Sequence, residues 1–204
     1  GGMNLLLVVE ADRTRTWVRR LAERLDRLGL RVRLEIVPPM STPTRGLDLL
    51  LELERLVLRR SRAIGAEPIA TDSVAPAPGA DFTPDLVVDL TAEPKVRAGT
   101  LVLAPSWDGG YGEEAAIHSL LSGTTPLCEV IDIGTGEPVE RGLASLESAS
   151  GLGGAIETVT ARLVTLLEAQ IKALMAGRSR PRPPPVVGQV RGPRQLPIRV
   201  STTE

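Results

Sequence analysis

The chain has 204 residues and a formal net charge of −1, and its hydrophobic content of 42% is mostly aliphatic because aromatic residues make up only 2%. This length suits one substantial domain whose core is built from Leu, Val, Ile and Ala packed between helices and a sheet. The single cysteine, Cys128, excludes an internal disulfide framework, and its apolar neighbours favour a buried structural thiol. No apolar stretch approaches the roughly 20 residues of a membrane span and no signal peptide is recognisable, so we expect a cytoplasmic protein.

Charge is unevenly distributed along the chain. Residues 178–204 contain six arginines and one glutamate, and the rest of the chain carries a net charge of −6. So acidic a body is a poor surface for nucleic acid, which needs clustered Lys and Arg. The C-terminal stretch has too much Pro and Arg to pack, which predicts an α/β domain over residues 1–177 followed by a tail over 178–204. The tail is a linker, an arm that binds a protein partner, or a strap on the body.

The first half of the chain predicts strands alternating with helices. The aliphatic run NLLLVVE has the pattern of a strand buried on both faces, and apolar residues from Trp17 to Leu28 recur at helical spacing between a cap at Asp12 and a stop at Gly29. Strand two ends where two prolines interrupt it. The predicted elements are strands over Asn4–Glu10 and Val32–Val37, helices over Trp17–Leu28 and Leu47–Arg60, and mostly loop over residues 61–84.

The second half predicts two more short strands, a helix, a hairpin and a long helix. The turn Gly134–Pro138 lies between two extended runs, as in an antiparallel hairpin. The overall prediction is therefore a three-layer α/β sandwich with a mainly parallel, Rossmann-like sheet and an antiparallel hairpin in its second half. The elements are strands over Asp85–Thr91, Thr100–Leu103, Leu127–Ile133 and Val139–Ser145, and helices over Glu113–Ser122, closed by Gly123, and Ile156–Met175.

The segment APSWDGGYG, residues 104–112, is the most unusual in composition. Its glycines would let backbone N–H groups approach a ligand, and its aromatic rings offer stacking faces. Because ligands of parallel sheets bind beyond the carboxyl ends of strands, the segment is a candidate ligand loop. The alternative is a tight strand-to-helix connection with Trp107 packed on the core. The candidate ligand-binding residues are Pro105, Ser106, Trp107, Asp108, Gly109, Gly110 and Tyr111.

Few side chains in the sequence could perform catalysis. His118 is the only histidine, and its position beside apolar helix residues favours a helix-edge role over a catalytic one. Asp89 and Asp132 lie near the ends of predicted strands and Asp108 follows one, and they could act as acids, bases or ligands only if the fold brought them together. The weak catalytic candidates are Asp108, His118 and Asp132. One cysteine and one histidine cannot form a structural zinc site, and we predict no metal.

The stretch from Asp85 to about Met175 resembles the folate-dependent formyltransferases. In that family a strand ends in Asn-x-His-Pro-Ser, a Gly-bearing loop and a helix follow, and an Asp-Thr-Gly turn precedes a long C-terminal helix. Here Pro105 and Ser106 match the Pro-Ser, EEAAIHSLLSG matches the helix ending at Gly, and Thr135 and Gly136 match the Thr-Gly. The resemblance implies a formyltransferase-like fold of the Rossmann type.

The residues that the resemblance assigns to chemistry are replaced. The family's Asn, His and Asp fall on Val102, Ala104 and Gly134, which can neither donate a hydrogen bond from a side chain nor relay a proton. The resemblance therefore implies a degenerate site without ordinary formyl transfer, and we do not expect folate as a cofactor. The chain is also similar to degenerate formyltransferase-like domains that precede a glycan-processing domain in some bacterial proteins.

Three hypotheses of function follow. The leading one is a non-catalytic domain that binds a small-molecule ligand or a downstream domain within a larger transferase system for glycan or lipid modification. The second is an enzyme, again a transferase, whose remodelled site acts on a sugar or nucleotide through at least two of the weak catalytic candidates. The third is a protein-assembly module whose acidic body and Arg-rich tail recruit a partner.

Overall fold

The structure is a computed structural model that describes residues 2–11, 13–40, 68–121, 125–146 and 151–178. Several predictions fall outside these ranges: the helix cap at Asp12, the helix over Leu47–Arg60, the stop at Gly123, and all of the tail beyond Arg178.

The described ranges contain three α-helices and seven strands. In chain order they are β1 (Asn4–Glu10), α1 (Thr16–Arg27), β2 (Arg31–Val37), β3 (Leu86–Asp89), β4 (Leu101–Trp107), β5 (Gly110–Tyr111), α2 (Gly112–Leu121), β6 (Leu127–Asp132), β7 (Glu137–Leu143) and α3 (Gly151–Met175), with one 3₁₀ turn at Thr71–Ser73. The residue at the N-cap of α1 is Arg15, and α3 begins at Gly151, ahead of the predicted Ile156.

The strands form one mixed sheet in the order β2-β1-β3-β4-β6-β7. β1 pairs in parallel with β2 and β3, and β3 pairs in parallel with β4. β6 then runs antiparallel to β4, and β7 antiparallel to β6. The predicted α/β class, with a parallel first half and an antiparallel hairpin in the second, is confirmed.

Because successive side chains of a strand point to opposite faces of the sheet, two apolar clusters form, one on each face. The larger cluster joins the odd-numbered residues of β1 to buried residues of α1 and α3, including Leu21 and Leu167. The smaller one, called here the Val102 cluster, consists of Leu6, Val8, Val87 and Val102 with Val37, Phe82 and Ile133 packed against it. No helix in the described ranges is both long and apolar enough to cross a bilayer.

β4 extends past its predicted end at Leu103 to Trp107, through Pro105. The main-chain carbonyl of Val102 accepts a hydrogen bond from Ile133 N, so even-numbered residues of β4 direct their backbone polar groups toward β6. Pro105, an odd-numbered residue, faces the other way, where pairing with β3 has ended at Leu103 and pairing with β5 begins at Ser106. A proline that lacks an N–H costs no ladder hydrogen bond there.

Candidate functional site

The predicted ligand loop, residues 104–112, is largely a β-hairpin. Ser106 and Trp107 of β4 pair with Tyr111 and Gly110 of β5, so only two residues, Asp108 and Gly109, form the turn. Both turn residues have positive φ, 50° and 87°, as a two-residue type I′ turn requires. The prediction of one continuous loop was wrong, since this segment forms a hairpin. The Asp-Gly pair at its centre is a hairpin signal that the prediction overlooked.

The hairpin sends its side chains to opposite faces of the sheet. Trp107 belongs to the larger core cluster on the helix face, whereas Val102, an even-numbered residue of the same strand, belongs to the cluster on the other face. Ser106 therefore projects away from Trp107. Gly110 has a packing role, because a Cβ there would lie 2.7 Å from Ala115 Cβ. The side chains of two predicted ligand residues, Ser106 and Trp107, therefore lie on opposite faces of the sheet.

Trp107 borders a cavity at the sheet edge where β1, β3 and β4 end, the carboxyl edge. The cavity has a volume of about 50 Å³ and is partly open to solvent. Its apolar wall includes Val9, Trp17, Val18, Leu90, Ile117 and Ile156, and its polar wall includes Glu10, Arg13, Arg15 and Glu113. Trp107 is 4% exposed, and Trp107 Nε1 has no hydrogen-bond partner in the described part of the chain.

A buried ion cluster forms the polar wall of this cavity. Arg15 Nε binds Glu113 Oε1, and Arg13 Nη1 lies 3.4 Å from Glu113 Oε2. The arginine side chains are 8% and 6% exposed and that of Glu113 is 18% exposed, so this carboxylate compensates two nearly buried guanidinium groups. The cluster joins the connection after β1 to the first turn of α2.

Sequence reasoning did not single out Glu10, Arg13 or Arg15. Ligands are expected beyond the carboxyl end of a parallel strand, and the sequence run EADRTR begins at Glu10, the last residue of β1. A dense run of charges directly after a buried strand was the available signal. The partner on α2, Glu113, is distant in sequence and could not be inferred from spacing.

Two buried carboxylates at the carboxyl edge are held by backbone N–H groups. Glu10 accepts hydrogen bonds from Met40 N at 2.7 Å and Ala92 N at 3.1 Å. Asp89 accepts from the backbone N–H and the hydroxyl of Thr91, and from Lys95 N at 3.2 Å. Both side chains fix the loops that follow or flank their strands, which is a structural use of these acids.

A polar row crosses the opposite face of the sheet. Register pairs Tyr111 with Ser106, Ser106 with Glu129, and Glu129 with Arg141, and Arg141 Nη2 lies 3.0 Å from Glu129 Oε1. Burial, and then the negative charge of Glu129, raise the pKa of Tyr111. In the described part of the chain Ser106 Oγ and Arg141 Nε have no hydrogen-bond partner.

The three weak catalytic candidates occupy different places. Asp108, in the hairpin turn, accepts hydrogen bonds from the Ser119 hydroxyl and from Leu127 N at 3.0 Å. Asp132 pairs with Leu103 of β4, at the opposite end of the β4–β6 pair from the hairpin turn, because β6 runs antiparallel to β4. Its carboxylate accepts from Gly134 N at 2.9 Å within its own turn. His118 is exposed on α2. Asp108 and Asp132 therefore do not converge.

The positions matched to the family's Asn, His and Asp lie close together. Ile133, the residue before Gly134, donates its N–H to Val102 O at 2.9 Å, and Ala104 pairs with Ile131. Val102 and Ala104 are buried and Gly134 is in an exposed turn. Val102 belongs to the apolar Val102 cluster, and none of these three residues has a side chain that can form a hydrogen bond.

Neither a metal centre nor a reactive thiol is evident in the described ranges. No group of three or more His, Cys, Asp or Glu side chains there could hold a metal ion. Cys128 is buried, and burial raises the pKa of its thiol to about 12. The nucleophilic thiolate is therefore scarce at neutral pH.

The chain is similar in structure to several solved proteins. A candidate sugar N-formyltransferase from Mycobacterium tuberculosis matches with a TM-score of 0.51 at 14% identity, over 91% of this chain and 73% of that one. The formyltransferase PseJ from Anoxybacillus kamchatkensis, in complex with UDP-4,6-dideoxy-4-formamido-L-AltNAc and tetrahydrofolate, matches with a TM-score of 0.47 at 12% identity, over 89% and 82%. A Shewanella sugar N-formyltransferase matches with a TM-score of 0.48 at 11% identity, over 91% and 75%.

No protein-family model and no curated protein sequence matches the chain. The formyltransferase-like fold predicted from the sequence is confirmed by the Mycobacterium tuberculosis structure, and the likeness extends well beyond the predicted Asp85 to Met175. At 14% identity the likeness concerns the fold.

Proposed function

We propose that the chain is a formyltransferase-like domain that does not itself transfer formyl groups and that serves as the ligand- or partner-binding part of a larger transferase system. The observation that carries the proposal is the Val102 cluster. It contains Val102, which the resemblance matches to the family's Asn, and Ile133, the neighbour of Gly134, packs against it; Val102, Ala104 and Gly134 offer no side-chain donor, acceptor or proton relay. The lone, buried Cys128 fits a cytoplasmic location.

A remodelled catalytic site is less well supported. It would need at least two of Asp108, His118 and Asp132 in one place, yet Asp108 follows Trp107 whereas Asp132 pairs with Leu103, so the two carboxylates lie at opposite ends of the β4–β6 pair. Each of these carboxylates already accepts hydrogen bonds, that of Asp108 from Ser119 and Leu127 and that of Asp132 from Gly134 in its own turn. The non-catalytic domain therefore remains the better account.

Ligand binding is tested by thermal shift of the purified chain. Nucleotides, nucleotide sugars, reduced folates and 10-formyltetrahydrofolate are each compared with buffer, because a ligand that binds only the folded state raises the melting temperature. We expect no rise with the folates. A reproducible rise with a folate that persists in Glu157→Ala, a surface control variant, would contradict the proposed loss of the formyl-transfer site.

Partner binding is assigned to the tail on the basis of charge. Six arginines in residues 178–204 adjoin a body with a net charge of −6. Deleting residues 178–204 should abolish association with a partner captured by the full chain. If the truncated chain captures the same partner equally well, the body and not the tail carries the interaction.

A further inference from the structure

The cavity at the carboxyl edge has a mainly apolar wall. Its apolar residues include Val9 of β1, Val18 of α1, Ile117 of α2 and Ile156 of α3, together with Leu90, which follows β3. No residue of the Val102 cluster lines the cavity. A ligand of this cavity is therefore independent of the proposed function.

The charged side chains on the wall already have partners. Glu113 bridges Arg13 and Arg15, and Arg13 Nη2 also lies 3.9 Å from Glu114 Oε1. Arg13, Arg15 and Glu113 take part in further interactions besides these. The carboxylate of Glu10 accepts hydrogen bonds from two backbone N–H groups. A charged or strongly polar ligand would have to compete with these bonds after it has lost its own hydration, which is costly.

The uncharged polar side chains of the wall have no donor available to a ligand. Thr160 donates its hydroxyl to Ile156 O at 2.8 Å, within α3. Trp107 Nε1 has no partner in the described part of the chain, but it is buried out of reach of solvent, so a group in the cavity cannot contact it. A buried water molecule needs roughly two to four polar partners. The cavity therefore favours an apolar occupant over water or a polar group.

The size of the cavity limits the group that can enter. A volume of about 50 Å³ is several times the roughly 10 to 15 Å³ that one water molecule needs, and far below the roughly 300 Å³ or more of a typical pocket for a whole drug-sized ligand. A group of about four non-hydrogen atoms fits this range.

We propose that the cavity binds the aliphatic end of a neutral small molecule, a group of the size of isobutyl. Val9, Leu90 and Ile117 supply apolar contacts, and the removal of the aliphatic group from water supplies the affinity. Because the cavity is partly open, the polar part of the ligand stays in the solvent outside it. No covalent step is involved.

The test follows the NMR signals of the full chain labelled at the methyl groups of Val, Leu and Ile. Two neutral probes with equal numbers of non-hydrogen atoms are titrated separately: 2-methylpropan-1-ol, which has an isobutyl end, and propane-1,3-diol, which is polar at both ends. We expect the methyl signals of Val9, Leu90 and Ile117 to move saturably with 2-methylpropan-1-ol, with half-saturation on the order of millimolar, and propane-1,3-diol to bind at least about tenfold more weakly. The methyl signals of Val87, in the Val102 cluster, should stay in place.

A cavity-filling variant supplies the second arm. Ala116→Val, on the wall of the cavity, should remove the response to 2-methylpropan-1-ol, whereas Ala161→Val on the exposed face of α3 should leave it unchanged. Three outcomes overturn the proposal: no saturable movement with 2-methylpropan-1-ol, equal responses to the two probes, or a full response in folded Ala116→Val. Equal movement of the Val87 signals would also overturn it, because the alcohol would then act on the whole core. If Ala116→Val does not fold, the comparison of the two probes decides.

Discussion

Burial is the largest influence on the chemistry of Cys128. It lies on β6 directly opposite Trp107 of β4, in the larger core cluster. Burial and then the charge of Asp108 raise the pKa of its thiol, Arg162 lowers it, and the result is about 12 against an ordinary value of 9.0. The sequence predicted a buried structural thiol from the apolar neighbours of Cys128, and the structure places it so.

The raised pKa predicts how stability depends on pH. The folded state holds the thiol proton more tightly than the unfolded state, so the contribution of Cys128 is complete below pH 9 and is lost as pH rises toward 12. Between these values the free energy of unfolding should fall by up to about 1.4 kcal/mol per pH unit because of this group. Urea unfolding of the wild type and of Cys128→Ala, compared from pH 8 to 11, measures the difference. Parallel pH profiles for the two proteins would contradict a buried, protonated thiol.

Asp108 is assigned a structural role by its contacts. Its carboxylate joins the hairpin turn to Ser119 of α2 and to Leu127 N at the start of β6, and its φ of 50° is unusual for a residue other than glycine. Asp108→Ala should lower the free energy of unfolding by about 1 to 2 kcal/mol, since it loses these acceptors and tolerates a positive φ poorly. Urea denaturation measures this loss.

The matched variant is Asp108→Asn, which keeps an acceptor oxygen and suits a positive φ. It should lose less than half as much stability as Asp108→Ala. If both variants are as stable as the wild type, the carboxylate does not hold the hairpin, and a functional role for Asp108 becomes the better explanation.

At the scale of elements, the start of α2 depends on a close approach to the loop after β3. Gly112 has a φ of 80°, and a Cβ there would lie 2.8 Å from Ala92 Cα. Gly109 has a similar φ of 87° but open space around it. Gly112→Ala should therefore cost at least about 2 kcal/mol more in unfolding free energy than Gly109→Ala, because both variants share the backbone strain and only one has the clash. Equal losses in urea denaturation would show that the loop moves aside at little cost.

The ion cluster predicts a second contrast between elements. Glu113→Ala should lower the free energy of unfolding by about 3 kcal/mol, because it removes the carboxylate that two nearly buried guanidinium groups share. The control is Glu157→Ala, which breaks the pair between Arg20 of α1 and Glu157 of α3, whose side chains are 43% and 37% exposed. An exposed pair of this kind is worth less than about 1 kcal/mol. A loss from Glu113→Ala no larger than the control's would contradict a stabilising role for the cluster.

Some elements could be predicted from the sequence and others could not, for physical reasons. The runs in β1 and α1 are regular enough to give their type and almost their bounds. β4 was predicted too short, and a proline such as Pro105 usually ends a strand. Only the sheet order reveals that the position of the N–H that Pro105 lacks faces a gap between β3 and β5. The row of Ser106, Tyr111, Glu129 and Arg141 depends on strand register, which sequence patterns do not fix here.

For the whole molecule, sequence motifs recovered only the second half of the likeness. Parallel strands buried on both faces are generic aliphatic runs, so β1 and β2 carry no family signature, although the structural likeness covers 91% of the chain. The Pro-Ser and Thr-Gly matches lie in turns and strand ends, where the functional residues of a family form recognisable motifs. The resemblance aligns Val102, Ala104 and Gly134 with the family's Asn, His and Asp, and these are the positions where the proposal expects the chemistry to be missing.

The measurement that tests the account most directly is formyl transfer by the purified chain. The chain is incubated with 10-formyltetrahydrofolate and a panel of nucleotide-linked amino sugars, and the formation of tetrahydrofolate is followed against a formyltransferase with intact Asn, His and Asp. The account predicts a rate equal to that without protein, because Val102, Ala104 and Gly134 supply none of the required groups. A rate proportional to the concentration of this chain, and abolished by Ser106→Ala or Asp108→Asn in folded protein, would contradict it.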